Sequence, residues 1–344
     1  MKIELLTEAE VASLKHIIEE SANIVVCCHK SPDGDAMGSS LAWAAFLRMQ
    51  GKAPKVITPD ACPDFLQWLP GAVDVMRYDK QREEGDALLA NADLVFCLDF
   101  NSTGRVDEMQ SSLDASPARK VLIDHHLSPD IDAVLEVSHP EMSSTSEMVF
   151  RLMWQLGAFD DMDTDCAAAI YCGMMTDTGG FTYNSTRPEI YYIIGQLLTK
   201  GIDKDRIYRN VYNNYSCWAM RLRGYIISQK LNYFEDYHSS YFTITRSDMA
   251  RFHFIKGDAE GLVNEPLRIK GMKLSISLRE DDRHDNLIWV SLRSVDDFPC
   301  NEMAARHFNG GGHLNASGGK LCCTMDEAEK AVREAIMDFS DKLK

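Results

Sequence analysis

The sequence predicts an α/β protein in which a parallel sheet with helices on both faces precedes a smaller mixed α/β part. Three observations indicate this fold class. In the first half, short apolar runs alternate with longer helix-forming segments, and the runs end on polar residues. Beyond residue 235, strand-like segments follow one another more closely. Strands that alternate with helices are typical of parallel sheets.

The first elements predict a helix followed by a βαβ unit. Thr7 and Glu10 have the spacing of a capping box, which indicates a helix at the amino terminus and argues against a signal peptide. Residues 24–28 are apolar and predict a strand, and a Pro-Asp-Gly turn then leads into a helix that ends near Gly51. Residues 55–58 predict the next strand.

Two further buried strands and an apolar helix follow. Residues 94–99 read LVFCLD and residues 121–126 read VLIDHH, so each apolar run stops at a polar side chain. Residues 167–177 predict a helix that ends on Asp177. Because ligands bind at the carboxyl ends of the strands in open α/β sheets, we expect these polar residues to lie along one edge.

The pattern changes near residues 195–235. Residues 189–199 predict a helix, and a basic and aromatic helical stretch covers residues 205–233. Strands are predicted over residues 241–245, 272–278 and 287–292, and an amphipathic helix over residues 325–343. We interpret residues 1–195 as one domain, 196–235 as a helical linker and 236–344 as a second domain, with a functional cleft expected between the two domains.

The polar residues at these strand and helix ends are candidate metal ligands. Taken singly, an aspartate at a strand end is more often a turn former or a helix cap. Together, the carboxylates would repel one another strongly unless cations lay between them. Oxygen ligands with imidazoles suit Mn²⁺, Mg²⁺ or Co²⁺, and no Cys-x-x-Cys pair indicates a structural zinc site.

The order and spacing of these residues resemble the motifs of the DHH phosphoesterases that carry a DHHA1 domain. Residues 29–36 (HKSPDGDA) are similar to the first motif, Asp99 to the second, residues 124–126 (DHH) to the third and residues 176–179 (TDTG) to the fourth. The resemblance covers most of the chain. It assigns residues 1–195 to the DHH domain and residues 236–344 to the DHHA1 domain.

The resemblance implies two divalent ions, with Mn²⁺ preferred and Mg²⁺ or Co²⁺ as alternatives. It implies that one ion is held by His29, Asp33 and Asp99, and the other by Asp35, Asp99, His125 and Asp177. Asp99 would bridge the two ions. His126 is then expected to contact a phosphate oxygen or to protonate the leaving group, and Asp124 to orient a ligand histidine.

The carboxy-terminal part resembles the DHHA1 substrate motif over residues 291–294 (SLRS) and 309–318. Asn309 stands where the family commonly has glycine, and Ser317 where it commonly has alanine. A guanidinium fork and close backbone amides both suit a phosphate, although a glycine triplet alone more often forms an ordinary turn. The expected substrate contacts are Arg293, Ser294, Gly310, Gly311, Gly312 and His313.

The net charge and its distribution along the chain favour some classes of substrate over others. The 344-residue chain carries 36 Lys and Arg against 52 Asp and Glu, for a formal net charge of −16. Residues 1–195 hold 14 basic against 31 acidic residues, whereas residues 196–344 hold 22 against 21. A protein that binds long duplex nucleic acid needs a basic surface that neutralises many phosphates. A short single-stranded RNA or a small phosphorylated nucleotide therefore fits better.

The resemblance implies a Mn²⁺-dependent hydrolase of short oligoribonucleotides, of 3′-phosphoadenosine 5′-phosphate, or of both. A phosphodiesterase of linear or cyclic dinucleotides, a pyrophosphatase or exopolyphosphatase, and a nucleotide sensor without activity stay open as alternatives. The ten cysteines show no disulfide spacing, and no apolar run reaches membrane-spanning length. We therefore expect a cytoplasmic protein with no membrane partner, and a homodimer is compatible with the sequence.

Overall fold

The computed structural model describes residues 3–255 and 257–344 and contains two units. The first unit ends at Asn214, and the second runs from Tyr215 to Lys344. This division falls inside residues 196–235, the segment interpreted as a linker from the sequence. Each unit is built around its own six-stranded sheet.

The first unit alternates helices and strands, with short 3₁₀ turns in several connections. Its elements are α1 (Glu8–Glu20), β1 (Ile24–Cys27), α2 (Gly34–Met49), β2 (Lys55–Thr58), β3 (Met76–Arg77), α3 (Arg82–Ala90), β4 (Leu94–Leu98), α4 (Gln110–Ala115), β5 (Arg119–Asp124), β6 (Leu135–Ser138), α5 (Thr145–Gln155), α6 (Thr164–Asp177), α7 (Pro188–Thr199) and α8 (Lys204–Tyr212). The capping box predicted at Thr7 is present and begins α1.

The sheet of the first unit has the order β3-β2-β1-β4-β5-β6, and every neighbouring pair is parallel. Alternate residues of its strands point to opposite faces. Val26 and Phe96 pack in a core with α2, α5 and α6, whereas Val25 and Val95 pack in a second core with residues of α3 and α4. The prediction of a parallel sheet with helices on both faces is therefore confirmed.

The sheet order decides where the polar strand ends meet. Strands β1, β4 and β5 are direct neighbours, with Val26 opposite Phe96 and Phe96 opposite Val121. Because the three strands are parallel, their carboxyl ends lie side by side at the same edge of the sheet. The fold thus brings together three chain segments that are far apart in sequence.

Helices α2 and α6 cross closely, and Gly38 makes the crossing possible. A Cβ atom added to Gly38 would lie 2.5 Å from the carbonyl oxygen of Ala169 and 3.0 Å from the amide nitrogen of Gly173. Both neighbours are backbone atoms of α6, so they cannot rotate away as a side chain would.

We expect Gly38→Ala to lower the free energy of unfolding by about 1–3 kcal/mol through overpacking, despite the better helix propensity of alanine. Urea denaturation would measure it. The matched control is Gly195→Ala in α7, because a Cβ atom there meets nothing within 4 Å. That change should leave stability equal or raise it by up to about 1 kcal/mol. Equal stabilities of the two variants would contradict the close crossing.

The second unit is a mixed α/β domain. Its elements are α9 (Cys217–Tyr225), β7 (Asn232–Phe234), β8 (Ser239–Ile244), α10 (Arg246–Arg251), β9 (Leu274–Glu280), β10 (Leu287–Ser294), α11 (Cys300–His307), β11 (Gly311–Gly312), β12 (Ala316–Cys322), α12 (Met325–Asp338) and α13 (Ser340–Leu343). The sheet order is β11-β12-β10-β9-β8-β7, with β8 and β9 parallel and the other neighbours antiparallel. Strands β8, β9 and β10 correspond to the three strands predicted here.

Two helical predictions need correction. The helical stretch predicted over residues 205–233 is broken between α8 and α9, where Ser216 caps the start of α9. A π-helical turn, Ile226–Lys230, continues α9, and residues 232–234 then form β7. The closing helix is likewise interrupted at Phe339. Local capping and strand pairing thus overrode the helical periodicity of these segments.

Helices α11 and α12 pack on one face of the second sheet. Ile276 and Val290 share a core with Met303 of α11 and Val332 of α12. The opposite face carries Phe242, which packs against α9 and the 3₁₀ segment Leu262–Arg268. Across the described residues, no helix combines the length and the apolar character that crossing a bilayer requires.

Candidate active site

The first unit brings all six predicted metal ligands together. His29 follows β1, Asp99 follows β4 and His125 follows β5, so the three sit at adjacent strand ends. Two more ligands, Asp33 and Asp35, lie at the start of α2, and Asp177 is the last residue of α6. Their side-chain donor atoms form two groups that meet at Asp99.

The first group consists of His29, Asp33 and Asp99. Nε2 of His29 lies 3.5 Å from Oδ2 of Asp99 and 3.8 Å from Oδ2 of Asp33. The other carboxylate oxygen of Asp33 accepts the amide protons of Asp35 and Ala36, and so caps α2. Asp33 is therefore a helix cap through one oxygen and a candidate metal ligand through the other.

The second group forms around His125. Its Nε2 lies 3.5 Å from Oδ1 of Asp99, 3.5 Å from Oδ2 of Asp177 and 3.9 Å from Oδ2 of Asp35. The opposite ring nitrogen of His125 lies 3.3 Å from the carbonyl oxygen of Met142. One oxygen of Asp99 thus faces each group, which is the arrangement that a bridging carboxylate requires.

The spacing and the chemistry of these donors fit divalent ions. Ions with bonds of about 2.1 Å to oxygen or nitrogen hold neighbouring ligand atoms roughly 3.0–3.4 Å apart. The distances from the histidine nitrogens to the carboxylate oxygens in the two groups, 3.5–3.9 Å, need only a small contraction to reach that range. Four carboxylates and two imidazoles, without thiolates, form a set that suits Mn²⁺ or Mg²⁺.

The electrostatics of the cluster also indicate a place for cations. Burial raises the pKa of Asp99 well above its usual range, and the nearby carboxylates of Asp35, Asp33 and Asp177 raise it further. Burial also raises the pKa of Asp35, although the imidazole of His125 opposes this shift. Burial lowers the pKa of His125, but the carboxylates around it outweigh this effect and raise its pKa overall. Bound cations would reverse the repulsion among the carboxylates.

The amino terminus of α5 supports two of these carboxylates, a role that was not predicted from the sequence. The amides of Thr145 and Ser146 donate to the two oxygens of Asp35 at 2.7 and 2.8 Å. The hydroxyl of Thr145 donates to Oδ1 of Asp99 at 3.0 Å. A signal was available, because Ser144 followed by Glu147 has the spacing that marks a helix start.

A buried ion-pair network fixes this turn of α5. The carboxylate of Glu147 is fully buried and lies 2.7 Å from guanidinium nitrogens of both Arg151 and Arg187. It also accepts the amide and the hydroxyl protons of Ser143. A buried carboxylate is stable only when its oxygens have hydrogen-bond or ion-pair partners. These contacts therefore explain how the carboxylate of Glu147 can be buried in the first turn of α5.

Asp124 pairs with His126. Oδ1 of Asp124 lies 2.7 Å from Nδ1 of His126, and because a carboxylate can only accept, that ring nitrogen carries the hydrogen. We expected Asp124 to orient a metal-binding histidine, but its partner is the histidine that we expect to contact substrate. For His125, the backbone carbonyl of Met142 takes the orienting role instead. The short contact leaves no space for an ion between Asp124 and Nδ1 of His126.

In the second unit, Arg293 and Ser294 end strand β10. One terminal nitrogen of Arg293 donates to the carbonyl of Leu292, and its Nε is buried with no hydrogen-bond partner among the described residues. The hydroxyl of Ser294, in contrast, already donates to Phe298 and accepts from Asn315, so this buried side chain holds the local fold.

The glycine segment forms a tight β11–β12 hairpin within the second unit. A Cβ atom at Gly310 would overlap the carbonyl of Gly318, so the approach of the two strands requires glycine there. The amide of Gly310 donates to Ala304 and that of His313 to Ala316, so both amides are already engaged. Of the amides expected to contact phosphate, those of Gly310 and His313 therefore bond within the second unit instead.

The two departures from the DHHA1 motif fit the geometry of this hairpin. Asn309 has a backbone φ of 49°, in the left-handed region that asparagine adopts more readily than most residues other than glycine. The hydroxyl of Ser317 donates to the carbonyl of His313 at 2.8 Å and so closes the turn. Both residues thus serve the backbone conformation of the hairpin.

Comparisons with known proteins agree with these motifs. The model of the "DHH family, N-terminal domain" matches residues 23–174, which include β1, β4, β5 and most of α6. A bifunctional oligoribonuclease and PAP phosphatase of Thermus thermophilus is 26% identical over 316 residues, a match that covers 92% of this chain and 89% of that protein.

Solved structures share the fold. The crystal structure of an exopolyphosphatase-related protein from Bacteroides fragilis is 50% identical in sequence, with a TM-score of 0.92 over 98% of this chain and 99% of that one. RecJ of Thermus thermophilus in complex with Mn²⁺ is 12% identical, with a TM-score of 0.57 over 100% of this chain and 56% of that one. From these matches and the ordered motifs, we conclude that residues 23–174 form an amino-terminal domain of the DHH family.

Proposed function

We propose that the protein hydrolyses short oligoribonucleotides to mononucleotides and 3′-phosphoadenosine 5′-phosphate to AMP. The observation that carries this proposal is the convergence of six donor side chains in two groups that share Asp99. The substrate class rests on the relative from Thermus thermophilus, whose name states both activities and which aligns over most of both chains.

The donor set fits two divalent ions, with His29, Asp33 and Asp99 holding one and Asp35, Asp99, His125 and Asp177 the other. Such ions, when bound, supply an activated water and stabilise the charge that develops during in-line phosphoryl displacement. We propose Mn²⁺ as the preferred ion, because the ligands are oxygen-rich with two imidazoles and because the RecJ structure holds Mn²⁺. Mg²⁺ and Co²⁺ are the alternatives to compare.

His126 supplies a proton-carrying group that is not needed as a ligand. Its Nδ1 is held by the buried carboxylate of Asp124, which fixes the orientation of the ring. Nε2 is then the atom that contacts a phosphate oxygen, and it delivers a proton to the leaving oxygen when the ring carries hydrogens on both nitrogens. The Asp124–His126 pair therefore orients the phosphate and stabilises the charge on the group that departs.

We further propose that Arg293 and His313 bind the terminal phosphate of the substrate. The guanidinium of Arg293 has a buried nitrogen without a partner among the described residues, and its planar fork matches two phosphate oxygens. Arg293→Ala is expected to lower kcat/KM by about 10- to 100-fold, mostly through KM, because a hydrogen bond to a charged group contributes about 1.5–3 kcal/mol.

Arg293→Lys should restore only part of this loss, because an ammonium cannot make the bidentate contact. Arg283→Ala is the matched control, since this arginine lies in the loop after β9 and its side chain is 83% exposed. Steady-state kinetics with 3′-phosphoadenosine 5′-phosphate would measure all three variants. If Arg293→Ala behaved like Arg283→Ala, the proposed phosphate contact would be wrong.

A second candidate function is the hydrolysis of inorganic polyphosphate. It is favoured by the name of the Bacteroides fragilis protein, which is called exopolyphosphatase-related and is 50% identical to this chain. Polyphosphate lacks a ribose and a base, so it would need only the metal centre and the basic side chains. The two functions therefore differ in whether the nucleoside contributes to binding.

Product-resolved hydrolysis in Mn²⁺ distinguishes these functions. The substrates are a diribonucleotide, a pentanucleotide, a long oligoribonucleotide, 3′-phosphoadenosine 5′-phosphate, a cyclic dinucleotide, pyrophosphate and polyphosphate. Our proposal expects the highest kcat/KM for the shortest RNAs and the bisphosphorylated nucleotide. Preference for polyphosphate or pyrophosphate would support the second candidate, and preference for the cyclic dinucleotide would reassign the substrate class. Tight binding without turnover of any substrate would indicate a sensor.

A further inference from the structure

The position of the Asp99 carboxylate depends on more than its own backbone. Asp99 has a φ of 64°, which is unusual for a residue other than glycine, and its amide donates to the carbonyl of Ile123. These features fix the backbone but leave the carboxylate free to rotate about the side-chain bonds. A bridging role requires Oδ2 to face His29 and Oδ1 to face His125, as the 3.5 Å distances show.

Thr145 touches this carboxylate and its neighbour at the same time. Its hydroxyl lies 3.0 Å from Oδ1 of Asp99, while its amide lies 2.7 Å from Oδ2 of Asp35. Thr145 is fully buried and is the first residue of α5, where a β-branched side chain has few rotamers available. The turn itself is held by the ion pairs of Glu147. Thr145 therefore presents its hydroxyl at a fixed place.

We propose that Thr145 is a positioning residue that keeps Asp99 oriented to bridge the two ions. The inference rests on the metal centre of the proposed function and adds a residue outside the ligand set. The hydroxyl donates one hydrogen bond to Oδ1, and a carboxylate oxygen has the capacity for a second partner such as an ion. Without this hydroxyl, Oδ1 loses a donor that fixes its orientation, because Nδ1 of His126, at 3.8 Å, gives its hydrogen to Asp124 instead. A carboxylate rotated out of this orientation would no longer serve both ions.

Metal binding by three variants tests this role. Thr145→Val keeps the shape of the side chain and the amide contact to Asp35, but it removes the hydroxyl. We expect one of the two Mn²⁺ ions to bind about 10- to 100-fold more weakly, as is typical when a supporting hydrogen bond to a ligand is lost. Thr145→Ser, which retains the hydroxyl, should restore the affinity. Thr243→Val, which alters a buried threonine in β8 of the second unit, should bind both ions as the wild type does.

The measurements are calorimetric titration of the metal-free protein with Mn²⁺ and the electron paramagnetic resonance signal of coupled Mn²⁺ pairs. Circular dichroism establishes that each variant is folded. The inference would be overturned if Thr145→Val bound both Mn²⁺ ions with wild-type affinity. It would also be overturned if Thr145→Ser bound Mn²⁺ as weakly as Thr145→Val. If Thr243→Val lost as much Mn²⁺ affinity as Thr145→Val, the effect would come from removing any buried hydroxyl, and this result would also overturn the inference.

The test separates this inference from the proposed substrate class. If the wild type binds two ions but hydrolyses neither short RNA nor the bisphosphorylated nucleotide, the proposed function fails while the Thr145 result stands. If the wild type binds two ions and hydrolyses these substrates but Thr145→Val binds normally, only the inference fails. A wild-type protein that binds a single ion would contradict both, because nothing would then be bridged.

Discussion

Asp99→Asn is expected to abolish turnover while leaving the fold intact. Asparagine has nearly the same shape, but it lacks the charge and one of the two oxygens that face the ligand groups. Loss of metal-based charge stabilisation costs several kcal/mol in the transition state, which corresponds to a decrease in kcat/KM of about a thousand-fold or more. Kinetics and Mn²⁺ titration of the variant measure this loss.

The same variant should gain stability in the absence of metal. Burial and neighbouring carboxylates raise the pKa of Asp99 well above its usual range, so the folded protein binds the Asp99 proton more tightly than the unfolded chain does. Ionisation of Asp99 therefore destabilises the metal-free fold once the pH exceeds the pKa in the unfolded chain. A neutral asparagine removes this penalty at neutral pH. We expect a higher thermal midpoint for metal-free Asp99→Asn than for the metal-free wild type, with a smaller difference in acid.

Asp93→Asn provides the matched control. Asp93 precedes β4 and Asp99 follows it, so the two variants carry the same substitution at opposite ends of one strand. Asp93 accepts the amide protons of Ala22 and Asn23, and these contacts lower its pKa. Its replacement should decrease stability slightly and leave kcat/KM unchanged. Activity of Asp99→Asn within tenfold of this control would rule out Asp99 as a bridging ligand.

The sequence allowed much of the first unit to be predicted because its signals are local. Each buried strand is a short apolar run that stops at its own polar residue, as LVFCLD does at Asp99. Once the strands are assigned to a parallel sheet, geometry alone brings their carboxyl ends together. The meeting of His29, Asp99 and His125 therefore follows from the pattern and from the order of the strands in the sheet.

The supporting contacts could not be predicted because they join segments that are far apart in the chain. Thr145 and Ser146 hold the carboxylate of Asp35, which lies 110 and 111 residues earlier. No periodicity or spacing reports such a pairing. Asp124 illustrates a different limit, since its neighbours His125 and His126 are both plausible partners. Only the direction of the side chains after β5 decides that His126 is the partner.

The second unit was harder to predict because its turns rely on backbone geometry. The residues GGGH suggested free amides for an anion, yet the amides of Gly310 and His313 bond within the hairpin and its neighbour α11. Gly310 is required by the approach of Gly318, a contact that depends on the register of β11 and β12. In a glycine-rich strand such as β11, the local sequence pattern specifies the register only weakly.

His126→Ala is expected to separate metal binding from turnover. The imidazole is not one of the six proposed ligands, although a ring nitrogen also lies within 4.8 Å of oxygens of Asp99 and Asp124. Because Nδ1 gives its hydrogen to Asp124, we expect the affinity for both Mn²⁺ ions to change little. Removing a positioned proton donor or phosphate contact should lower kcat by about 100- to 10,000-fold. His139→Ala is the control, because His139 also pairs with a carboxylate, Glu141, at 3.0 Å but lies outside both groups. Loss of an ion in His126→Ala would instead make His126 a ligand.

The Asp124–His126 contact predicts how the effects of Asp124→Asn and His126→Ala on kcat combine. Asp124→Asn replaces the charged acceptor that fixes the hydrogen on Nδ1 with a neutral amide, so we expect a decrease in kcat smaller than that of His126→Ala. In the double variant, Asp124→Asn should add little, because its effect passes through a ring that is no longer there. Additive losses in the double variant would mean that Asp124 acts on the reaction independently of His126. A double variant close to His126→Ala alone would instead establish the pair as one functional unit, in which the carboxylate serves by directing the imidazole.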